Sequence, residues 1–132
     1  MITKGIEALV AEAEGEIETL TARQAMDLLD DEDVTFVDIR DIRELWREGT
    51  VPGSVHAPRG MLEFWVDPDS PYYREVFGTG KKFVFFCAGG LRSALATLAV
   101  QRMGLQPVAH IEGGFGAWKQ AEGAIVEKER PE

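Results

Sequence analysis

The chain has 132 residues, 45% of them hydrophobic and 28% charged, with a net charge of −9. This balance fits one folded domain and excludes a low-complexity or disordered chain. The acidity argues against nucleic acid as a partner, because non-specific binding needs clustered Lys and Arg to neutralise phosphates. The single cysteine excludes an internal disulfide. No apolar run approaches the roughly 20 residues that cross a bilayer, so no membrane partner is expected. Glu7, Glu12 and Glu14 stand where a signal peptide would be apolar, and a cytoplasmic location follows as the expectation.

In chain order, residues 2–14 read as a weak helix with Ile6, Leu9 and Val10 on one face, interrupted at Gly15. Residues 1–16 are expected to form a peripheral extension, residues 17–123 the domain, and residues 124–132 a tail. A short strand is expected over 17–20. Thr21 and Gln24 then have capping-box spacing, opening a helix whose apolar face continues through Ala25, Leu28 and Leu29. Residues 34–39 are a β-rich run, read as a buried strand. Residues 41–48 form a charged helix with Ile42, Leu45 and Trp46 on one side, ended by Gly49. After the turn at Val51-Pro52-Gly53 comes a short strand over 54–56.

Residues 61–80 read as a short helix followed by an irregular, aromatic-rich segment. Its aromatics are expected to cover the sheet; a wall of a substrate entrance is the other reading. Residues 82–86 form the clearest strand, and residues 87–92 a glycine-containing loop. A helix follows over 93–103, with Leu95, Leu98, Ala99 and Met103 at core spacing. Residues 107–111 form a further strand and residues 115–120 the closing helix. Strand alternating with helix indicates an α/β fold with a central, mainly parallel sheet flanked by helices.

The chemistry concentrates in the loop Cys87-Ala88-Gly89-Gly90-Leu91-Arg92-Ser93. Ligands of open α/β sheets bind at the carboxyl ends of the strands, which is where Cys87 falls. Two adjacent glycines let the backbone curl with its N–H groups inward, and such a nest at a helix N-terminus attracts anions. A thiolate or a persulfide at its centre is favoured by the same donors. Arg92 either adds a positive charge to this nest or points outward to an acidic neighbour. The plainer reading makes Cys87 a core residue and the glycines a tight strand-to-helix turn.

Three motifs, in order, resemble the rhodanese-like domain family. Val37-Asp38-Ile39-Arg40, then Glu44, then Gly49-Thr50-Val51-Pro52-Gly53-Ser54 is similar to the family's VDVR…E…GHIPGA signature. Cys87 to Ser93 is similar to its C-x-x-G-x-R-S active-site loop, and Glu112-Gly113-Gly114-Phe115-Gly116-Ala117-Trp118 to its closing EGG-x-x-x-W motif. The resemblance covers about residues 17–123. It departs at Thr50, where the family often has His, and at His56, where many members carry Asn.

The resemblance implies a sulfurtransferase that moves sulfane sulfur through a persulfide on Cys87. Ala88, Gly89, Gly90, Leu91, Arg92 and Ser93 would form the persulfide-binding loop, mainly through backbone N–H groups. The expected partners are a small sulfur donor such as thiosulfate and a thiol or cyanide acceptor, with a protein acceptor also open. No metal or organic cofactor is needed. The same resemblance carries two rivals. One is a cysteine phosphatase or arsenate reductase, whose signature has five residues between Cys and Arg; here there are four. The other is a non-catalytic interaction module.

Around this loop Asp38 is read as a supporting residue able to hydrogen-bond the backbone that shapes the loop, or as an ordinary turn residue. Arg40, Arg43 and Arg59 either help bind an anionic donor or pair with nearby acids such as Asp41 or Glu44. His56 and His110 are the only histidines; both fall on strands, and neither is expected to serve Cys87 as a base. One Cys and two His lack the close spacing of a zinc site. Phe115 and Trp118 read as core anchors.

Overall fold

A computed structural model describes residues 1–131. Helix α1 (Ile6–Glu16) precedes strand β1 (Glu18–Leu20), and α2 (Ala22–Met26) leads to β2 (Val34–Asp38). Next come α3 (Ile42–Glu48), β3 (Val55–His56) and α4 (Leu62–Val66), with a 3-10 turn on either side of α4. Strand β4 (Lys82–Phe86), helix α5 (Leu91–Arg102), strand β5 (Val108–Ile111) and helix α6 (Gly114–Gln120) complete the order. The five strands form one sheet in the order β1-β5-β4-β2-β3, and every pair is parallel.

Strand alternation sorts the side chains into two cores. Phe83, Phe85 and Cys87 share one face with Val37, Ile39 and Val108, covered by Leu62, Val66, Phe77, Ala96 and Val100. Val84 and Phe86 share the other face with Phe36, Ala109 and Ile111, covered by Ala22, Ala25, Phe115 and Trp118. Both faces of the sheet are buried, as a parallel sheet requires. This explains why the 82–86 run is apolar almost throughout rather than alternating.

Capping fixes two of the helices. Thr21 and Gln24 form the expected capping box on α2. Asp41 and Glu44 form a second one on α3, which ends at Gly49 with φ +81°. At α1 the structure differs from expectation. The helix runs through Gly15 to Glu16, and its buried residues are Val10 and Ala13, while Ile6 and Leu9 are exposed. Val10 and Ala13 pack on Ala94 and Leu98 of α5, with Ile17 alongside.

Helix α5 also differs. It begins at Leu91 rather than Ser93. Met103 is exposed, and Ser93, Ala94, Ala96, Thr97, Leu98 and Val100 are buried. The cause is that α5 is covered twice, by the sheet through Ala96 and Val100 and by α1 through Ala94 and Leu98. A helix buried on two sides has no single apolar stripe.

The aromatic-rich segment divides. Phe77 is buried against Phe83, and Trp65 packs on the same core. Phe64 and Tyr72 are exposed and pair edge-to-face with each other. No helix among the described residues is long and apolar enough to cross a membrane.

Candidate functional site

Cys87 follows the last residue of β4 and is buried, 1% exposed. The turn between β4 and α5 is only Cys87-Ala88-Gly89-Gly90, so the helix N-terminus arrives directly above the sulfur. Gly90 takes φ +94°, a left-handed conformation that turns its N–H inward. Its N–H donates to Cys87 Sγ at 3.2 Å, and the Ser93 N–H donates at 3.3 Å. Gly90 is the N-cap of a twelve-residue helix and Ser93 lies in its first turn, where unpaired N–H groups and the helix dipole favour negative charge. Ser93 Oγ lies 3.5 Å from the same sulfur. Three polar groups therefore converge on Sγ from one side.

Helix α6 holds the opposite side of the turn. The Phe115 N–H donates to the Cys87 carbonyl at 2.7 Å, and the Gly116 N–H donates to the Ala88 carbonyl at 3.0 Å. Gly114 makes this approach possible: it takes φ +58°, and a Cβ there would lie 2.3 Å from the Cys87 carbonyl oxygen. The closing glycine motif thus serves the cysteine loop directly, beyond turning the chain into α6. Gly89 and Leu91 are exposed at the rim of the loop, and Ala88 is half-buried.

Arg92 turns outward. Its guanidinium donates to both carboxylate oxygens of Glu44, at 2.9 and 3.1 Å. This pairing holds the Glu44 carboxyl below the usual carboxylate range and raises Arg92. Because Glu44 is also the capping residue of α3, one carboxylate ties the N-termini of α3 and α5 together.

Asp38 does not shape the cysteine loop. It lies in strand parity with Phe36, on the α6 side of the sheet, whereas Cys87 faces the other side. Its carboxylate accepts from the Arg40 backbone and guanidinium and from the Thr50 hydroxyl at 2.7 Å. Arg40 is buried beside it, stacked 4.2 Å over the Phe115 ring and donating to the Gly49 carbonyl. Arg40 therefore pairs with neither Asp41 nor Glu44, and it braces the turn after α3. Thr50 fills the position of the family's His by completing this network. Arg43 bonds Asp41, whose carboxyl it holds down to about 2. Arg59 bonds Glu63. Neither arginine bonds any atom of the cysteine loop.

His56 Nε2 pairs with the Arg40 carbonyl at 2.7 Å. His110 is the residue that sequence reasoning missed. It is buried on β5, and its Nδ1 lies 2.9 Å from Ser93 Oγ. Burial pushes its imidazole down to about 4. Its position has a signal in hindsight. His110 pairs in register with Phe85, two residues before Cys87, so the two side chains share a face. That follows only once β5 is known to neighbour β4.

The model of the rhodanese-like domain matches residues 21–121. A putative sulfurtransferase of Bacillus subtilis, YtwF, is 30% identical over 104 residues, covering 79% of this chain and 89% of that protein. The mouse thiosulfate sulfurtransferase/rhodanese-like domain-containing protein 3 is 26% identical over 104 residues, 75% of this chain; the match spans 66% of that protein's length. Among solved structures, a Rhodopseudomonas palustris protein is 58% identical with a TM-score of 0.93, covering 96% of this chain and 97% of that one. It is described as a protein of unknown function and possible tyrosine phosphatase. The family match runs from the cap of α2 to the end of α6, and so takes in the whole cysteine loop and both helices that grip it: this chain belongs to the rhodanese-like domain family.

Proposed function

We propose that the chain is a sulfurtransferase carrying sulfane sulfur as a persulfide on Cys87. The observation that carries this reading is the convergence of the Gly90 N–H, the Ser93 N–H and Ser93 Oγ on one buried sulfur. The two N–H donors stabilise an anionic sulfur at that point, both the attacking thiolate and the persulfide that replaces it. Gly89 and Leu91 form the exposed rim of the loop above the sulfur.

The reaction has two displacements. The Cys87 thiolate attacks the outer sulfur of thiosulfate, the bond between the two thiosulfate sulfurs breaks, and sulfite leaves with the electron pair. An acceptor thiolate or cyanide then attacks the outer persulfide sulfur. The product is a new persulfide or thiocyanate, and the Cys87 thiolate returns. Oxidation states balance without an external oxidant, and the chain's own residues supply the cradle. This chemistry suits a small-molecule donor and a thiol acceptor, and a protein acceptor fits it equally.

The similarity to a possible tyrosine phosphatase favours a second reading, hydrolysis of a phosphate ester by the same cysteine. Two features weigh against it. The Cys-to-Arg spacing is one residue short, and the Arg92 guanidinium donates to Glu44 rather than to the cysteine loop. Steady-state assays decide between the readings. Thiosulfate with cyanide should give parallel-line, ping-pong kinetics, and an aryl phosphate should give no Cys87-dependent turnover. Hydrolysis of the phosphate ester in the absence of sulfur transfer would replace the first reading with the second.

A further inference from the structure

We infer that His110 is a positioning residue that fixes the Ser93 hydroxyl as a third hydrogen-bond donor to the sulfur of Cys87. The inference rests on the reading of Cys87 as nucleophile and adds to it a residue behind the loop.

The geometry is a chain of three groups. Sγ and Ser93 Oγ are 3.5 Å apart, and Ser93 Oγ and His110 Nδ1 are 2.9 Å apart. A serine hydroxyl has one proton and can direct it either way. If Nδ1 is a bare acceptor, the Ser93 proton points to the histidine and Oγ accepts from the thiol S–H. If Nδ1 carries the proton, Oγ accepts from the ring and the Ser93 proton is left for the sulfur. The first arrangement suits a neutral thiol and the second an anionic sulfur.

The other ring nitrogen selects between them. His110 Nε2 is buried and has no hydrogen-bond partner among the described residues. A buried N–H without an acceptor is rarer, and costs more, than a buried acceptor left bare. The neutral ring therefore keeps its one proton on Nδ1, where Ser93 Oγ accepts it. Burial keeps the ring neutral through the physiological range.

The surroundings do not supply a competing charge. Thr19, the register partner of His110 on β1, is uncharged, as is Phe85 on β4. Ser93 and Thr97 are the buried polar residues of α5. The charged groups of the elements packed around His110 and Cys87 are paired: Glu18 with Lys82, Glu16 with Arg102, Arg92 with Glu44, and Asp38 with Arg40. The acidic side chains of α1, Glu7, Glu12 and Glu14, are exposed, as is Glu112 after β5. No proton moves through the chain when the sulfur reacts. The thiol proton is lost to solvent beforehand, and His110 holds the same single proton throughout.

The test uses the full chain and two readouts that need no sulfur donor. Cys87 is the only cysteine, so the pH profile of iodoacetamide alkylation reports on it alone. Ser93→Ala should slow alkylation at neutral pH on the order of tenfold, the loss of one donor to a charged group, and move the profile up by about one unit. His110→Leu should give part of that, roughly threefold. His110→Asn, whose amide can donate from the Nδ1 position, should restore the wild-type profile. The double variant Ser93→Ala/His110→Leu should match Ser93→Ala alone, because His110 acts through the hydroxyl. Nitrogen-15 NMR of the wild type should find His110 neutral with its proton on Nδ1. A proton on Nε2, a His110→Leu profile identical to wild type, or a double variant worse than Ser93→Ala would overturn the inference. Absence of sulfur loading with these results intact would instead remove the persulfide reading and leave the positioning role standing.

Discussion

Arg92 and Glu44 form a two-pronged ion pair that draws the guanidinium away from Cys87 and joins the N-termini of α5 and α3. In this account Arg92 braces the loop from outside and makes no hydrogen bond to the sulfur. Arg92→Ala and Glu44→Ala should each lower stability modestly. The double variant should be no worse than the sum less a coupling of about 1 kcal/mol or below, since the Arg92 side chain is 43% exposed. Denaturant melts of the four proteins measure this. Persulfide formation by Arg92→Ala should stay within a few-fold of wild type.

Gly114 lets α6 close on the cysteine turn, and the cost of a side chain there is steric as well as conformational. The added Cβ of Gly114→Ala would meet backbone at 2.3 Å, so about 2–4 kcal/mol of stability should be lost together with sulfur transfer. Gly53→Ala is the control. Its φ is +74° but no atom lies within 4 Å of the new Cβ, so it should cost only about 1–2 kcal/mol and leave the cysteine untouched. Equal effects at the two positions would mean that the loop tolerates a shift of α6.

Asp38 and Arg40 are fully buried and paired through Arg40 Nε and Nη2, while Arg40 Nη1 has no partner among the described residues. Removing one partner leaves an uncompensated buried charge, so Asp38→Ala should cost about 3–5 kcal/mol. Alkylation of Cys87 in the folded fraction should be unchanged, because the pair lies on the far face of the sheet. A change in cysteine reactivity without a change in stability would restore Asp38 to the site.

The acid side of the stability curve should carry the signature of His110. Its pKa is about 6.5 when unfolded and about 4 when folded. Between those values the unfolded chain binds a proton that the folded chain refuses, so stability falls as pH drops from 6.5 toward 4, by about 3 kcal/mol in all. His110→Leu should flatten that slope. Glu44, whose folded pKa is lowered by Arg92, contributes stability that is present above pH 4.5 and lost below it, so its effect falls mainly outside the window. Chemical denaturation at a series of pH values separates the two.

Most of the element order was legible from the sequence. The strand over 82–86, the capping box at Thr21 and Gln24, and the helix ended by Gly49 all carry strong local signals. Helix α5 was legible as a helix but its faces were not, because Ala94 and Leu98 answer to α1 while Ala96 and Val100 answer to the sheet. A one-stripe reading of periodicity has no term for that double contact. Met103 was accordingly assigned to the core and is exposed. The position of the cysteine loop followed from the motif, and its true helix start, two residues earlier, reflects the tightness that Gly90 permits.

Sequence alone reads Asp38 either as a support for the loop or as a turn residue and gives His110 no role beside Cys87; one physical feature separates the two. Which of them reaches Cys87 depends on strand parity relative to β4. Asp38 is in register with Phe86, one residue before Cys87 and on the opposite face. His110 is in register with Phe85, two residues before and on the same face. Sequence motifs mark Asp38 because it belongs to a signature, yet that signature builds the turn around Arg40 and Thr50. The Arg92–Glu44 contact spans 48 positions and has no local signal at all.

The central claim is that Cys87 holds transferable sulfur. Reduced protein incubated with thiosulfate, freed of donor and weighed intact without reductant, should gain the mass of one sulfur atom. Cyanide should remove it, and Cys87→Ser should never acquire it. A wild-type protein that gains no sulfur from thiosulfate or from polysulfide, while its thiol remains free and alkylatable, would contradict the account.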